Sequence, residues 1–332
     1  MMPPDTNDTW QSGLVSVIIP CYNSVRFVEA TLESVFAQTF PRVEVIVVDD
    51  GSTDGSTELI RSLGNQVRAE FGPNRGVSAA RNRGTALARG EFIQYLDADD
   101  LLVPDAIERR VTALQTTNAD VAYSDWKKLV EIAPGTFESG EQVTRRIEDL
   151  DVDSAIAHLK FWAPLAALTY RRTIVDRIGG WKEWLPIVQD ARFLQDAGLL
   201  GGSFVHVPGA GAVYRVPLGG SLSRRSEAAF VADVYRNGCD LQSFVERQGV
   251  MSARMQCHIA SIYGYSARTL FFYDHEAFRD CIRRLYALEP GFQLTWPKVA
   301  SVASSVVGFQ IAGILLLALA QIASVCRSIR SR

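Results

Sequence analysis

Residues 15–20 read VSVIIP, a short apolar run closed by proline. Residues 25–38 follow with Phe27, Val28, Leu32, Val35 and Phe36 at helical spacing, so the chain opens with a strand and then a helix. The couplet returns at once: residues 43–48 (VEVIVV) form a buried strand, and after DDGSTDGS a helix carries Leu59, Ile60 and Leu63 on one side. A weaker strand over 66–71, an alanine-rich helix over 77–89 and a strand over 91–96 make the third unit, and a helix over 104–116 leads to a strand over 119–124. Strands alternating with helices predict an α/β fold with a mainly parallel sheet covered on both faces. In such sheets ligands bind beyond the carboxyl ends of the strands, where the polar clusters of this chain fall: Cys21-Tyr22-Asn23, Asp49-Asp50-Gly51-Ser52, and Asp97 to Asp100.

Beyond residue 125 the alternation loosens. Residues 127–153 are polar and read as irregular or hairpin-like. A strand at 168–170 and a helix at 174–178 precede Gly179-Gly180-Trp181, and 203–207 and 212–216 read as two short strands. Residues 227–288 are helical with aromatic and small residues at helical spacing, and Pro290-Gly291 closes them, which places a module boundary near Arg225. Residues 299–326 contain no charged side chain and include ILLLALA, long enough for a bilayer's hydrocarbon core but diluted by Ser, Gly and Gln. A membrane-embedded hairpin or interfacial helix, a true span and a buried or oligomer-forming helix all remain open for this segment. It ends in a basic tail with Arg327, Arg330 and Arg332. The division expected is therefore a flexible lead over 1–13, a catalytic domain over 14–225 split at 124/125, a helical module over 226–292 and the apolar segment with its tail over 293–332.

A net charge of −3 without a Lys/Arg block argues against nucleic acid as the main partner. Five scattered cysteines without a CxxC spacing fit neither a disulfide framework nor a zinc site, and suit a reducing cytoplasm. The start, MMPPDTNDTWQSG, lacks the basic and apolar regions of a signal peptide. The four histidines stand apart without metal-ligand spacing.

The stretch FIQYLDADD carries the chemistry. Its strand ends in Asp97, Asp99 and Asp100, and Asp97 and Asp99, two apart, share a side if the chain stays extended. Clustered hard oxygens suit Mn²⁺ or Mg²⁺; the alternative is that Asp100 caps the next helix and the other two are solvated turn residues. Tyr22 and Asp50 offer a flat ring and a hydrogen-bond acceptor for a nucleotide base, against ordinary packing for Tyr22 and a turn-capping role for Asp50.

Taken together, VSVIIPCYN, VEVIVVDDGSTDGS, NRGVSAARNRG and GEFIQYLDADD resemble, in order and spacing, the nucleotide-sugar half of family 2 glycosyltransferases, which have the GT-A fold. The resemblance is strong over 14–124, looser to about 223, and does not cover the rest. It implies a donor site built from Pro20, Tyr22, Asn23, Asp50, Arg81 and Asp97, with Asp50 on uracil, Asp49 supporting its loop, Asp97 at the ribose or metal shell and Asp99 on the metal. It also implies a base within an acidic pair after a Gly-Gly-aromatic turn. Gly179-Gly180-Trp181 followed by Gln189-Asp190 supplies Asp190, with Gln189 where the family often has glutamate. Arg81 is open to a structural ion pair, Asp190 to a helix-cap or salt-bridge role near Arg192, and Trp181 and Trp184 to core packing instead of a sugar platform. The family segment that often carries a diphosphate-side histidine has none here; Arg215, Arg224 and Arg225 are the cations nearby.

The implied function is an inverting glycosyltransferase using a UDP-sugar and Mn²⁺ or Mg²⁺. Its acceptor would be a glycan or glycolipid of cell-surface polysaccharide or lipopolysaccharide assembly, reached at the cytoplasmic face of the membrane. A sugar-nucleotide nucleotidyltransferase shares sheet and metal but calls for a glycine-rich basic loop after the first strand, which CYNSVRF is not. A non-catalytic sugar-nucleotide-binding scaffold subunit is the other alternative. A dinucleotide oxidoreductase is disfavoured because no GxGxxG follows a strand.

Overall fold

The computed structural model describes residues 10–148, 157, 159–218 and 226–292. Its contacts divide the chain into two compact units at Arg225/Ser226.

The first unit is built on a nine-stranded sheet in the order β3-β2-β1-β4-β8-β6-β9-β5, with β7 paired to β6. Its strands are β1 Gln11–Cys21, β2 Val43–Asp49, β3 Arg68–Phe71, β4 Gly90–Tyr95, β5 Leu101–Leu102, β6 Val121–Ala133, β7 Thr136–Val143, β8 Leu168–Arg171 and β9 Phe204–Val216. The helices are α1 Val28–Phe36, α2 Ser56–Ser62, α3 Val77–Leu87, α4 Ala106–Thr117, α5 Arg172–Ile178 and α6 Gln189–Leu199. The fold is α/β, as the alternation predicts, but the sheet is mixed. β3, β2, β1 and β4 run parallel, while β8 turns antiparallel to both β4 and β6. Beyond β8 the directions stay mixed: β6 and β9 run parallel, with α5 and α6 between β8 and β9 in the chain, and β5 pairs antiparallel to β9.

β1 is buried from Leu14 to Cys21 because helices cover both faces. Gly84 lets α3 lie directly on it: a Cβ there would fall 2.4 Å from Ile18 Cγ2. The strand begins at Gln11, paired with Gly90, so the last residues of the expected 1–13 lead belong to the sheet; residues 1–9 lie outside the described residues. The polar stretch after 125 is a hairpin, β6 and β7, and the two short strands expected at 203–207 and 212–216 are one strand, β9, with register shifts against β6 around Pro208-Gly209. Under the sheet, the buried Arg110 guanidinium donates to Thr169 Oγ1 (3.0 Å), Ser124 Oγ (3.1 Å) and Gln94 Oε1 (3.0 Å), all neutral, and burial pushes its pKa down to about 9.

The second unit contains α7 Glu227–Gln248, α8 Ala253–Tyr273 and α9 His275–Leu288. Each has a side-chain N-cap: Ser226 accepts from the Ala229 amide, Ser252 from Met255, and Asp274 from Glu276 and Ala277. The expected apolar segment over 299–326 lies outside the described residues. Among the described residues no helix is long and apolar enough to cross a membrane.

Candidate active site

The carboxyl ends of β1, β2 and β4 form one rim, fixed by register: Cys21 lies opposite Asp49, and Ile18 opposite Tyr95. After β1, Pro20 is buried, while Tyr22 is 51% exposed and available to stack. Asn23 has a left-handed φ of 51°, which a short polar side chain tolerates, and it ties two loops together. Its Oδ1 accepts from Thr53 N (2.8 Å) and its own N–H donates to Ser52 Oγ (3.0 Å).

After β2, the two aspartates divide their work. Asp49 accepts from Ser52 N (3.0 Å) and from the Thr57 hydroxyl, which holds the loop. Asp50 is buried and accepts from Arg75 N (3.0 Å) and Gly76 N (2.7 Å) at the entry to α3. Asp50 thus ties down the loop that enters α3 and does not cap the helix at Ser56; its Oδ2 accepts from both amides, and its Oδ1, which accepts only from Arg75 N among the described residues, keeps a further lone pair for a ligand. Gly51 (φ +82°) must be glycine here, since a Cβ would lie 2.8 Å from Asn74 N.

After β4, Asp97 and Asp99 are partly exposed and Asp100 is buried. Arg81 of α3 is 2% exposed and binds Asp97 Oδ1 through Nη2 at 2.6 Å, so the ion pair is present. Its Nε and Nη1 are buried and have no partner among the described residues. Burial, and then the neighbouring charge of Asp97, raise Asp99 from 3.8 to about 6. Asp100 accepts from Arg215 N (2.9 Å) through Oδ1, and its buried Oδ2 lacks a partner among the described residues. It is a structural anchor between β4 and β9, not a helix cap. Arg215 itself lies over the Phe27 ring at 5.5 Å; Arg224 and Arg225 lie outside the described residues.

This donor set fits a hard divalent cation: adjacent carboxylates, one resisting ionisation, beside an orphaned buried oxygen. Among the described residues no three His, Cys, Asp or Glu side chains form a closed cage. An ion held here would be open to donor oxygens and water, the arrangement Mg²⁺ and Mn²⁺ favour.

The second half meets this rim through the Gly-Gly-Trp turn. Gly179 (φ +75°) ends α5 and Gly180 (φ +108°) continues the reversal. Asn82 then clamps the next peptide: its Oδ1 accepts from Trp181 N (2.7 Å) and its Nδ2 donates to Trp181 O (3.1 Å). The Trp181 ring is buried, stacked on Phe193 at 4.1 Å with Arg81 over it at 4.4 Å. Core packing describes Trp181, therefore, while Trp184 is 45% exposed.

Asp190 stands in the first turn of α6. Its Oδ1 accepts from Ala191 N (2.8 Å) and its Oδ2 from Trp162 Nε1 (2.9 Å). Burial raises its pKa, and the charges of Arg81 and Asp97 act on it; Arg81 lies over the Trp181 ring that stacks on Phe193 of the same helix as Asp190. Arg192 pairs with Asp196 (2.7 Å). Trp162 is the residue that sequence reasoning missed; it lies in no repeating pattern, and only the fold carries it to Asp190. His206, one of the isolated histidines, hydrogen-bonds Asp125 (2.8 Å) away from these groups.

Residues 16–129 match the model of Glycosyl transferase family 2. An uncharacterized glycosyltransferase of Nostoc sp. is 33% identical over 173 residues, 49% of this chain and 52% of that protein. Glycosyltransferase GlyG of Streptococcus pneumoniae is 36% identical over 119 residues, covering 35% and 40%. The chain thus spans about half the length of these curated relatives, or less. Among solved structures, S. aureus TarS 1-349 in complex with UDP-GlcNAc matches at TM-score 0.57 and 18% identity, over 83% of this chain and 90% of that one. Mannosyltransferase PcManGT from Pyrobaculum calidifontis, in complex with GDP-Man and Mn²⁺, matches at 0.53 and 19%, over 92% and 86%. At such identities the likeness shows the fold, which is GT-A. Over the motif-bearing residues of its parallel half, the chain is similar to glycosyl transferase family 2.

Proposed function

We propose that this chain is an inverting glycosyltransferase. It would move a sugar from a UDP-sugar to a hydroxyl of a glycan or glycolipid in cell-surface polysaccharide or lipopolysaccharide assembly. One observation supports the reading: Asp190 is a buried carboxyl with raised proton affinity on which the charges of Arg81 and Asp97 act, and that ion pair stands beside Asp99 at the carboxyl end of β4. In an inverting displacement the acceptor oxygen bonds to the anomeric carbon as the bond from that carbon to the phosphate oxygen breaks. The hydroxyl proton passes to Asp190 and the electron pair leaves with the diphosphate.

Tyr22, Asn23 and Asp50 would receive the base, with Pro20 setting the strand end that presents them. Asp97 would meet the ribose or the metal shell, and Asp99 would hold Mn²⁺ or Mg²⁺. A divalent ion at that position supplies charge stabilisation for the departing diphosphate. The free Nε and Nη1 of Arg81 are aligned for donor oxygens by the ion pair that fixes the other arm. Support for the donor class comes from the GT-A neighbours, which bind UDP-GlcNAc and GDP-Man, the latter with Mn²⁺.

The test is UDP release from a panel of UDP-sugars with Mn²⁺. Asp190→Asn is expected to lower turnover at least 100-fold while calorimetric UDP binding is retained. Asp99→Ala is expected to abolish metal-dependent turnover. Full turnover by Asp190→Asn would remove the base assignment, and undiminished metal-dependent turnover by Asp99→Ala would remove the metal assignment.

A further inference from the structure

The segment before β8 brings Trp162 against the candidate base. Its indole N–H donates to Asp190 Oδ2 at 2.9 Å, and the half-buried ring packs against two aromatic neighbours. It stands edge-on to Trp126 of β6 (centroids 6.2 Å apart, 90°) and to Tyr214 of β9 (6.1 Å, 80°). The Ala191 amide holds the other oxygen at 2.8 Å, so the carboxylate is fixed at both ends by donors from different segments. We infer that Trp162 is the positioning residue of this base, its indole N–H fixing the direction in which Asp190 presents its remaining lone pairs to the acceptor. The inference rests on the reading of Asp190 as the base.

The chemistry of the partner matters as much as its place. An indole nitrogen donates and cannot accept, so Trp162 bonds the ionised carboxylate without competing for the proton that Asp190 takes up. A serine, tyrosine or histidine there would offer that proton a second home. A bond to the charged form favours that form, opposing the burial that would keep Asp190 protonated. The other groups that act on Asp190 are Arg81 from α3, which favours the charge, and Asp97 at the end of β4, which disfavours it; Tyr170 of β8 and Tyr214 of β9 lie within reach of its field. None of them supplies an indole's geometry.

Two measurements on the full chain test this. In a ¹⁵N–¹H correlation spectrum, the indole cross-peak that Trp162→Phe removes is expected to titrate with pH. Its midpoint should lie above the ordinary aspartate value of about 3.9, and the titration should vanish in Asp190→Asn. UDP release with the UDP-sugar that turns over best, plus Mn²⁺, is then followed against pH. Trp162→Phe keeps an aromatic ring and loses the donor, so the acid limb of kcat should move up by about one pH unit and the plateau fall about tenfold, with donor KM unchanged. A cross-peak indifferent to pH, or an acid limb that stays put in a folded Trp162→Phe protein, overturns the inference and leaves the base assignment standing. Normal turnover by Asp190→Asn overturns both, because Trp162 would then position no base.

Discussion

Asp99 and Asp190 are both carboxyls pushed upward by burial, yet their neighbours give them opposite prospects. Beside Asp99 stands another carboxylate, Asp97, so ionisation is opposed by like charge and a cation relieves it. Beside Asp190 stand two N–H donors, which favour the ionised form. The sign of the pH dependence follows. A carboxyl whose folded pKa is raised to about 6 favours the folded state below its unfolded value near 3.8, and that contribution is lost as pH rises through 6. The metal-free protein is therefore expected to melt about 5 °C lower at pH 7.5 than at pH 5 on this account. Mn²⁺ should raise Tm at pH 7.5 far more than at pH 5, and Asp99→Asn should erase the difference. A cation-induced rise equal at both pH values would contradict this. Turnover has its own acid limb, set by Asp190: it should rise with pH through a midpoint above the usual carboxylate range, read from UDP release.

At the scale of elements, the strand ends and the turn glycines decide where chemistry is possible. Gly51→Ala places a Cβ 2.8 Å from the Asn74 amide at a left-handed φ, and is expected to cost about 2 kcal/mol or more and to weaken UDP binding together with stability. A denaturant midpoint and calorimetry on the same sample would show whether the two losses travel together. Arg110→Ala removes a buried guanidinium that satisfies Gln94, Thr169 and Ser124, and is expected to cost about 3 kcal/mol or more with the rim motifs untouched. The parallel half was legible because its strands are short unbroken apolar runs and its loops are polar and glycine-bearing. The polar strand ends singled out Asp97, Asp99 and Asp50, and the resemblance singled out Asp190 as the acid of the Gln189-Asp190 pair after Gly179-Gly180-Trp181. What the pattern could not carry was pairing across the sheet. β6 continues through the polar residues 127–133 because hairpin partners replace burial as the reason to stay extended, and β9 runs through Pro208-Gly209 because register shifts against β6 absorb the break. Arg110 and Trp162 were invisible for a related reason: each is explained by partners far away in sequence.

For the whole molecule, the donor-side and base residues named above all fall within the first unit, before residue 226. A chain ending at Arg225 is expected to bind UDP with Mn²⁺ as the full chain does, and loss of binding by a folded truncation would show that the helical unit takes part in the donor site. Within the first unit, the Asn82 amide grips the Trp181 peptide from both sides and is one of the side chains that join the two halves, beside Arg110 on Thr169 and Asp100 on the Arg215 amide. That stitch defines a splice rule for chimeras. An acceptor half grafted from a related chain would need, among its contacts with this donor half, a reverse turn whose backbone N–H and C=O meet Asn82. A graft cut between Asn82 and such a turn would exchange specificity while keeping the seam intact.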